Sequence, residues 1–317
     1  MAEPSRGFWS GRCVVVTGGA GFLGGAVVRD LKALDADVRV TRSADHDLRD
    51  PRAARAAVDG ADAVIHLAAN VGGIGFNRAN PAPLVYDNLM MTANIFEGCR
   101  DAGVGKLVSA CTVCAYPKHT AVPFSEDDLW DGYPEESNAP YGLAKKMMLV
   151  LSDAYRRQYG FDSCAPILAN LYSPDDNFDL ESSHVIPAMI RKFVAAVDGG
   201  DETVTMWGTG TPSREFLYVE DAARGLLLAA ERLDVSEPVN LGVGIETRIR
   251  DLAETIGRLA GFDGTIEWDA TRPDGQPKRY LDVSRARELI GFEARVALED
   301  GLARTIASFR EQTASLA

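Results

Sequence analysis

The chain has 317 residues, 46% of them hydrophobic and 25% charged, which is enough to bury one large core or two smaller ones. Lys and Arg total 33 against 46 Asp and Glu, a formal charge of −13, which argues against a surface built to follow nucleic-acid phosphates or anionic lipid. No apolar run approaches a bilayer's thickness and the first residues lack a signal-peptide core, so a cytoplasmic protein is expected, with its five cysteines reduced.

Residues 12–17 read as a buried strand that runs into Gly18-Gly19-Ala20-Gly21-Phe22-Leu23-Gly24 and then a helix over 26–34. Strand, glycine loop and helix in that order form a cradle in which bare backbone N–H groups meet a pyrophosphate. Gly18, Gly21, Phe22, Leu23 and Gly24 are therefore candidate cofactor-binding residues. A second strand, 38–41, is followed by Arg42, with no acid until Asp45. An acid near the end of this strand would suit the ribose 2′-hydroxyl of NAD, whereas Arg suits the 2′-phosphate of NADP. NADP (as NADPH) is expected and NAD less favoured, with Arg42 and Asp47 assigned to the cofactor.

A third strand, 63–67, ends in His66-Leu67-Ala68-Ala69, whose small residues let a cofactor lie against the backbone; His66 itself reads as a packed strand residue. Residues 70–76 read as a flexible loop and 84–101 as a long helix with apolar positions beyond one stripe, which suggests a subunit contact. The run 106–111 reads as a strand ending in small polar residues, and Tyr141 and Lys145, four apart on a helix from about 140, share one face. Cys111 and Cys114 make a Cys-x-x-Cys, but with no second pair nearby no metal is expected.

A strand over 163–168 completes an α/β, doubly wound parallel sheet with ligands at its carboxyl ends. Beyond Asn170 come a polar stretch over 172–183, a helix over 184–197, a strand over 204–207, then 216–219, a helix over 221–232 and 239–241. The expected division is a dinucleotide-binding Rossmann unit, 9–172 plus 214–243, and a smaller substrate-binding cap, 173–213 plus 244–317.

The glycine loop, His66-Leu67-Ala68-Ala69 and the Tyr141-x-x-x-Lys145 pair resemble the extended short-chain dehydrogenase/reductases acting on nucleotide sugars. Val71-Gly72-Gly73-Ile74, Cys114-Ala115-Tyr116-Pro117-Lys118, Ser183-His184-Val185-Ile186-Pro187 and Trp207-Gly208-Thr209-Gly210-Thr211-Pro212 are similar to the GDP-L-fucose synthase family within that group. Arg214-Glu215-Phe216-Leu217 and Arg272-Pro273-Asp274-Gly275 extend the resemblance toward the C-terminus. It departs at Val113, where the family has a second Ser, and at Lys192, where an Arg is usual.

The resemblance implies epimerisation at C3 and C5 and reduction at C4 of a GDP-linked 4-keto sugar. It assigns Cys114 and His184 to proton transfer at carbon and Thr112, Tyr141 and Lys145 to the carbonyl, with Lys145 lowering the Tyr141 phenol pKa. It also implies that Tyr141, Lys145, Leu168, Asn170, Leu171 and His184 touch the cofactor, and that Val71, Gly72, Asn170, Lys192, Trp207, Arg214 and Lys278 bind the substrate. A homodimer is expected. Two competing readings use the same residues: a redox-neutral epimerase, at C4 or at C3 and C5 only, and a non-catalytic NADP-binding regulatory protein.

Overall fold

The computed structural model describes residues 2–179, 183–272 and 274–314. Residues 180–182 of the expected polar stretch, Pro273 of the 272–275 run, and residues 1 and 315–317 lie outside them. Five parallel strands stand in the order Asp37–Thr41, Cys13–Thr17, Ala63–His66, Lys106–Ser109, Ser163–Cys164. Successive side chains on a strand face opposite ways, and both faces here are apolar. Val14, Val16, Ile65 and Val108 enter one core, while Val15, Val64 and Leu107 enter another with Ile95 and Phe96. A sheet buried on both faces accounts for near-continuous apolar strands.

The expected 106–111 and 163–168 strands are each interrupted. Pro166 has no N–H to give a ladder and breaks the second at Ala165-Pro166, while its carbonyl accepts the Cys111 N–H at 2.9 Å. Beyond the break Cys111–Thr112, Ile167–Leu168 and Asn240–Leu241 form a further parallel set. The expected 70–76 loop also gives way, to the helix Ile74–Ala79 capped at Gly73. The next helix, Pro81–Ala102, carries Pro in its first turn and ends at Gly103 with φ 71°, the backbone a left-handed helix stop requires.

A second layer is built on another core, in which Ile190, Phe193, Leu252, Ile256 and Leu302 meet. The helices Val185–Gly199, Ile249–Ala260 and Leu298–Ala314 supply it, together with the parallel strands Thr203–Trp207 and Thr265–Asp269. Buried Glu215 ties this layer to the sheet: its carboxylate accepts the N–H groups of Val243, Gly244 and Leu281. No helix among the described residues is long and apolar enough to cross a membrane.

Candidate active site

A cleft of about 1760 Å³ runs along the carboxyl ends of the strands, beneath the second layer. Its first wall is the glycine loop. Gly18 takes φ 70°, and a Cβ there would lie 2.8 Å from the Ala68 nitrogen. A Cβ on Gly24 would fall on the Gly18 carbonyl and 2.6 Å from the Gly19 Cα, so the helix Phe22–Ala33 can approach the loop only without a side chain. Gly24→Ala is expected to cost about 1–3 kcal/mol of overpacking strain, read by urea unfolding, and to weaken dinucleotide binding in titration.

Thr17 locks this loop to the next one. Its Oγ1 accepts the Leu67 and Ala68 N–H groups at 3.2 Å and lies 2.7 Å from His66 Nδ1. Burial, then the Lys145 charge, hold the His66 pKa down to about 3, so the ring is neutral and shares one hydrogen bond with the Thr17 hydroxyl. His66 is thus a packed strand residue, and Leu67, Ala68 and Ala69 line the cleft.

At the far end lie Arg42 and Asp47. Arg49 bonds Asp47 at 2.8 Å and Asp87 at 3.2 Å, and its hydrogen bond draws the Asp47 carboxyl down to about 2. The Arg42 guanidinium is exposed and has no ion-pair partner among the described residues.

In the middle, the helix Ala139–Tyr159 presses Gly142 onto the Cys114 carbonyl, where a Cβ would not fit. Thr112 Oγ1 accepts the Cys114 N–H at 3.2 Å, which leaves its own O–H free to donate into the cleft. Cys111 is buried behind them; its thiol donates to the Lys145 carbonyl and burial pushes its pKa to about 11. Of the Cys-x-x-Cys pair, half-buried Cys114 is the more open to the cleft. Burial pulls Lys145 down to about 8, and its ammonium has no hydrogen-bond partner among the described residues. Tyr141 departs from expectation. Burial, then the Cys114 and Cys111 thiols, raise its pKa rather than lower it, and Lys145 is not among the groups that shift it.

The opposite wall begins at His184, which occupies the cap position of Val185–Gly199 without capping it, so the imidazole stays available to the cleft. Its ring opens on the cleft, yet the surrounding protein lowers its pKa by desolvation. Farther along the same helix, Lys192 Nζ donates to the Thr205 carbonyl at 2.9 Å and sits 5.7 Å from the Trp207 ring. Trp207 is 62% exposed and carries the Arg272 guanidinium at 5.0 Å, so an aromatic face flanked by cations stands at the mouth.

Arg214 forms the floor, its Nη1 donating to the Ser213 and Gln276 carbonyls at 2.6 Å. Burial and the neighbouring Arg279 pull its pKa down to about 10. Lys278, expected among the substrate ligands, is turned outward to Glu246 at 3.3 Å and does not line the cleft. Adjacent strand residues face opposite sides, so on Lys278–Arg279 the inward cation is buried Arg279. That alternation was the signal that would have selected Arg279. Neither Arg214 nor Arg279 has a carboxylate partner within ion-pair distance among the described residues.

Val71 and Gly72 also line the cleft, where the Gly72 N–H donates to Asn77 at 3.4 Å and Asn77 donates to Asn138 at 3.1 Å. These two asparagines, which motif reading passed over, tie the loop to the start of the Tyr141 helix. Leu168, Asn170 and Leu171 complete the sheet-side wall, with Asn170 Nδ2 donating to the Glu215 carbonyl at 2.9 Å.

A family model described as the NAD dependent epimerase/dehydratase family matches residues 14–242. The GDP-L-fucose synthase of Escherichia coli (strain K12) is 38% identical over 310 residues, covering 94% of this chain and 96% of that protein. A GDP-L-fucose synthetase from Naegleria fowleri, solved bound to NADP, superposes with a TM-score of 0.86 at 31% identity, over 96% of each chain. A GDP-6-OMe-4-keto-L-xylo-heptose reductase from C. jejuni superposes with a TM-score of 0.89 at 25% identity, over 95% of this chain and 98% of that one. The chain therefore belongs to the NAD dependent epimerase/dehydratase family, as an extended short-chain dehydrogenase/reductase resembling GDP-L-fucose synthase.

Proposed function

We propose that this protein is an NADPH-dependent epimerase/reductase that inverts C3 and C5 and reduces C4 of a GDP-linked 4-keto sugar. The observation that carries the reading is that one cleft holds two separate sets of proton-moving groups: Thr112, Tyr141 and Lys145 on the sheet side, and Cys114 facing the cleft with His184 from the cap. A reductase alone needs only the first set.

The cradle fits a dinucleotide, since the glycine positions leave backbone N–H groups bare where side chains would clash. At its far end Asp47 is already engaged by Arg49 while Arg42 is unpaired, a charge arrangement that supports a 2′-phosphate over a free 2′-hydroxyl. Bound NADPH would supply the hydride for C4. Arg42→Ala is expected to weaken NADPH binding tenfold or more, about 1.4 kcal/mol or above, with NADH binding little changed, as read by fluorescence titration of both dinucleotides.

A 4-keto group acidifies the hydrogens on C3 and C5, because the electron pair left behind spreads onto the carbonyl oxygen. In each inversion one of Cys114 and His184 removes the proton from carbon and the other returns a proton on the opposite face. Thr112 donates a hydrogen bond to the C4 oxygen, Tyr141 gives that oxygen its proton, and the Lys145 ammonium holds the developing phenolate. The unpaired Arg214 and Arg279 suit a diphosphate, and exposed Trp207 with Lys192 offers a stacking face for the base.

We further propose that 173–213 with 244–317 acts as the substrate-binding unit, that the protein is cytoplasmic, and that it is a homodimer. Exposed Tyr86 and Val150 on the helices Pro81–Ala102 and Ala139–Tyr159 support the last of these. The deciding experiment incubates the enzyme with GDP-4-keto-6-deoxymannose and NADPH. Stoichiometric NADPH loss with deuterium wash-in at C3 and C5 is expected; isomer formation without NADPH loss would overturn the reductase reading in favour of a redox-neutral epimerase.

A further inference from the structure

Within the cleft, the charge on Arg279 is directed at the Cys114 sulfur. Its Nη1 lies 3.4 Å from Cys114 Sγ. The rest of the guanidinium is gripped by one amide: Gln276 Oε1 accepts Nε at 3.1 Å and Nη2 at 2.7 Å. Gln276 is itself fixed, its Nε2 donating to the Lys118 carbonyl at 2.9 Å and its backbone carbonyl accepting Arg214. Both Gln276 and Arg279 are buried. The clamp is neutral, so it orients the cation without cancelling its charge, which a carboxylate in the same place would do. Around the sulfur stand Arg214 from the floor, Tyr141 from the helix above and Cys111 from its own segment, and Glu135 acts on Arg214. Arg279 is the cation in direct contact.

We propose that Arg279 is the positioning residue of the Cys114 base, its guanidinium holding the sulfur in place at the cleft before substrate arrives. This rests on the assignment of Cys114 to proton transfer. Acting as the base, the sulfur accepts the carbon proton: the C–H bond breaks, an S–H bond forms, and the electron pair passes to the carbonyl oxygen. The contact with the sulfur gives Arg279 a role that exists in the absence of any diphosphate.

Iodoacetamide alkylation of the Cys114 peptide, followed by mass spectrometry from pH 5.5 to 9.5 on the full-length protein with NADPH, tests the proposal. Arg279→Gln is expected to slow alkylation at pH 7 about tenfold and to change the rate profile across that range. Arg279→Lys should recover part of the lost rate. Gln276→Glu, which pairs the cation with a carboxylate while giving up the bond to the Lys118 carbonyl, should act in the same direction as Arg279→Gln. Circular dichroism selects folded variants. A profile unchanged in both Arg279→Gln and Gln276→Glu, with GDP affinity reduced in the first, would overturn the proposal and leave Arg279 as a diphosphate ligand only. Failure of the wild type to exchange deuterium or oxidise NADPH would instead sink the functional reading, because alkylation needs no substrate.

Discussion

Tyr141→Phe is expected to lower NADPH oxidation by about 10³-fold while deuterium exchange at C3 and C5 continues. The change removes one hydroxyl from a helix face whose packing is set by Gly142 against the Cys114 carbonyl, so the fold has little reason to respond. What is lost is the proton for the C4 oxygen, and a positioned general acid contributes roughly 10²–10⁴ in rate, about 3–5 kcal/mol of barrier. Burial keeps the Tyr141 phenol protonated at neutral pH, which suits a donor in the direction of reduction. The ammonium that must stabilise the resulting phenolate is Lys145, lowered to about 8. A lowered lysine pKa means charge present below it and lost above it, so the reductive rate should fall as pH rises through about 8. Loss of both reduction and exchange in Tyr141→Phe would show that the two sets of groups do not act separately.

Much of this arrangement could be read along the chain because local rules and global topology agree. The glycine loop needed only its flanking strand and helix to be placed, and the packing of Gly24 on Gly18 is the physical content of that motif. The doubly wound parallel sheet followed from alternating strands and helices. What escaped reading depends on distances between remote segments. Gln276 carries no charge and no motif, yet it holds Arg279 and meets Lys118, whose number lies 158 away. Lys278, expected among the substrate ligands, stands one strand register away from the residue that faces the cleft, Arg279, since one step along a strand reverses the face. The raised Tyr141 pKa escaped for another reason: spacing shows that a lysine is near, but desolvation is a property of everything packed around the phenol. Val113, where the sequence leaves the family pattern, is 3% exposed and belongs to the sheet's core, so the missing hydroxyl is replaced by apolar packing beside the cleft.

Cys114→Ala should give the opposite result to Tyr141→Phe: exchange at carbon falls by about 10²–10⁴-fold, while Tyr141, Lys145 and Thr112 stay in place for reduction. The geometry makes the separation sharp. Cys114 reaches the cleft from the short helix Val113–Ala115, whose backbone is held by its own N–H to Thr112 Oγ1 and by Gly142 against its carbonyl. Removing Sγ therefore leaves the turn and the Thr112 hydroxyl where they were. Cys111 cannot substitute, being buried, bonded to the Lys145 carbonyl and raised to about 11. His184 alone has no partner across the ring, and inversion requires a group on each face. The prediction is read by offering the variant a keto sugar and NADPH and identifying the product: a reduced sugar with C3 and C5 uninverted and without deuterium. Full exchange in Cys114→Ala would remove this thiol from the chemistry, and would turn the search for the second base to the remaining cleft residues, of which Glu135 is the carboxylate nearest in sequence to the Tyr141 helix.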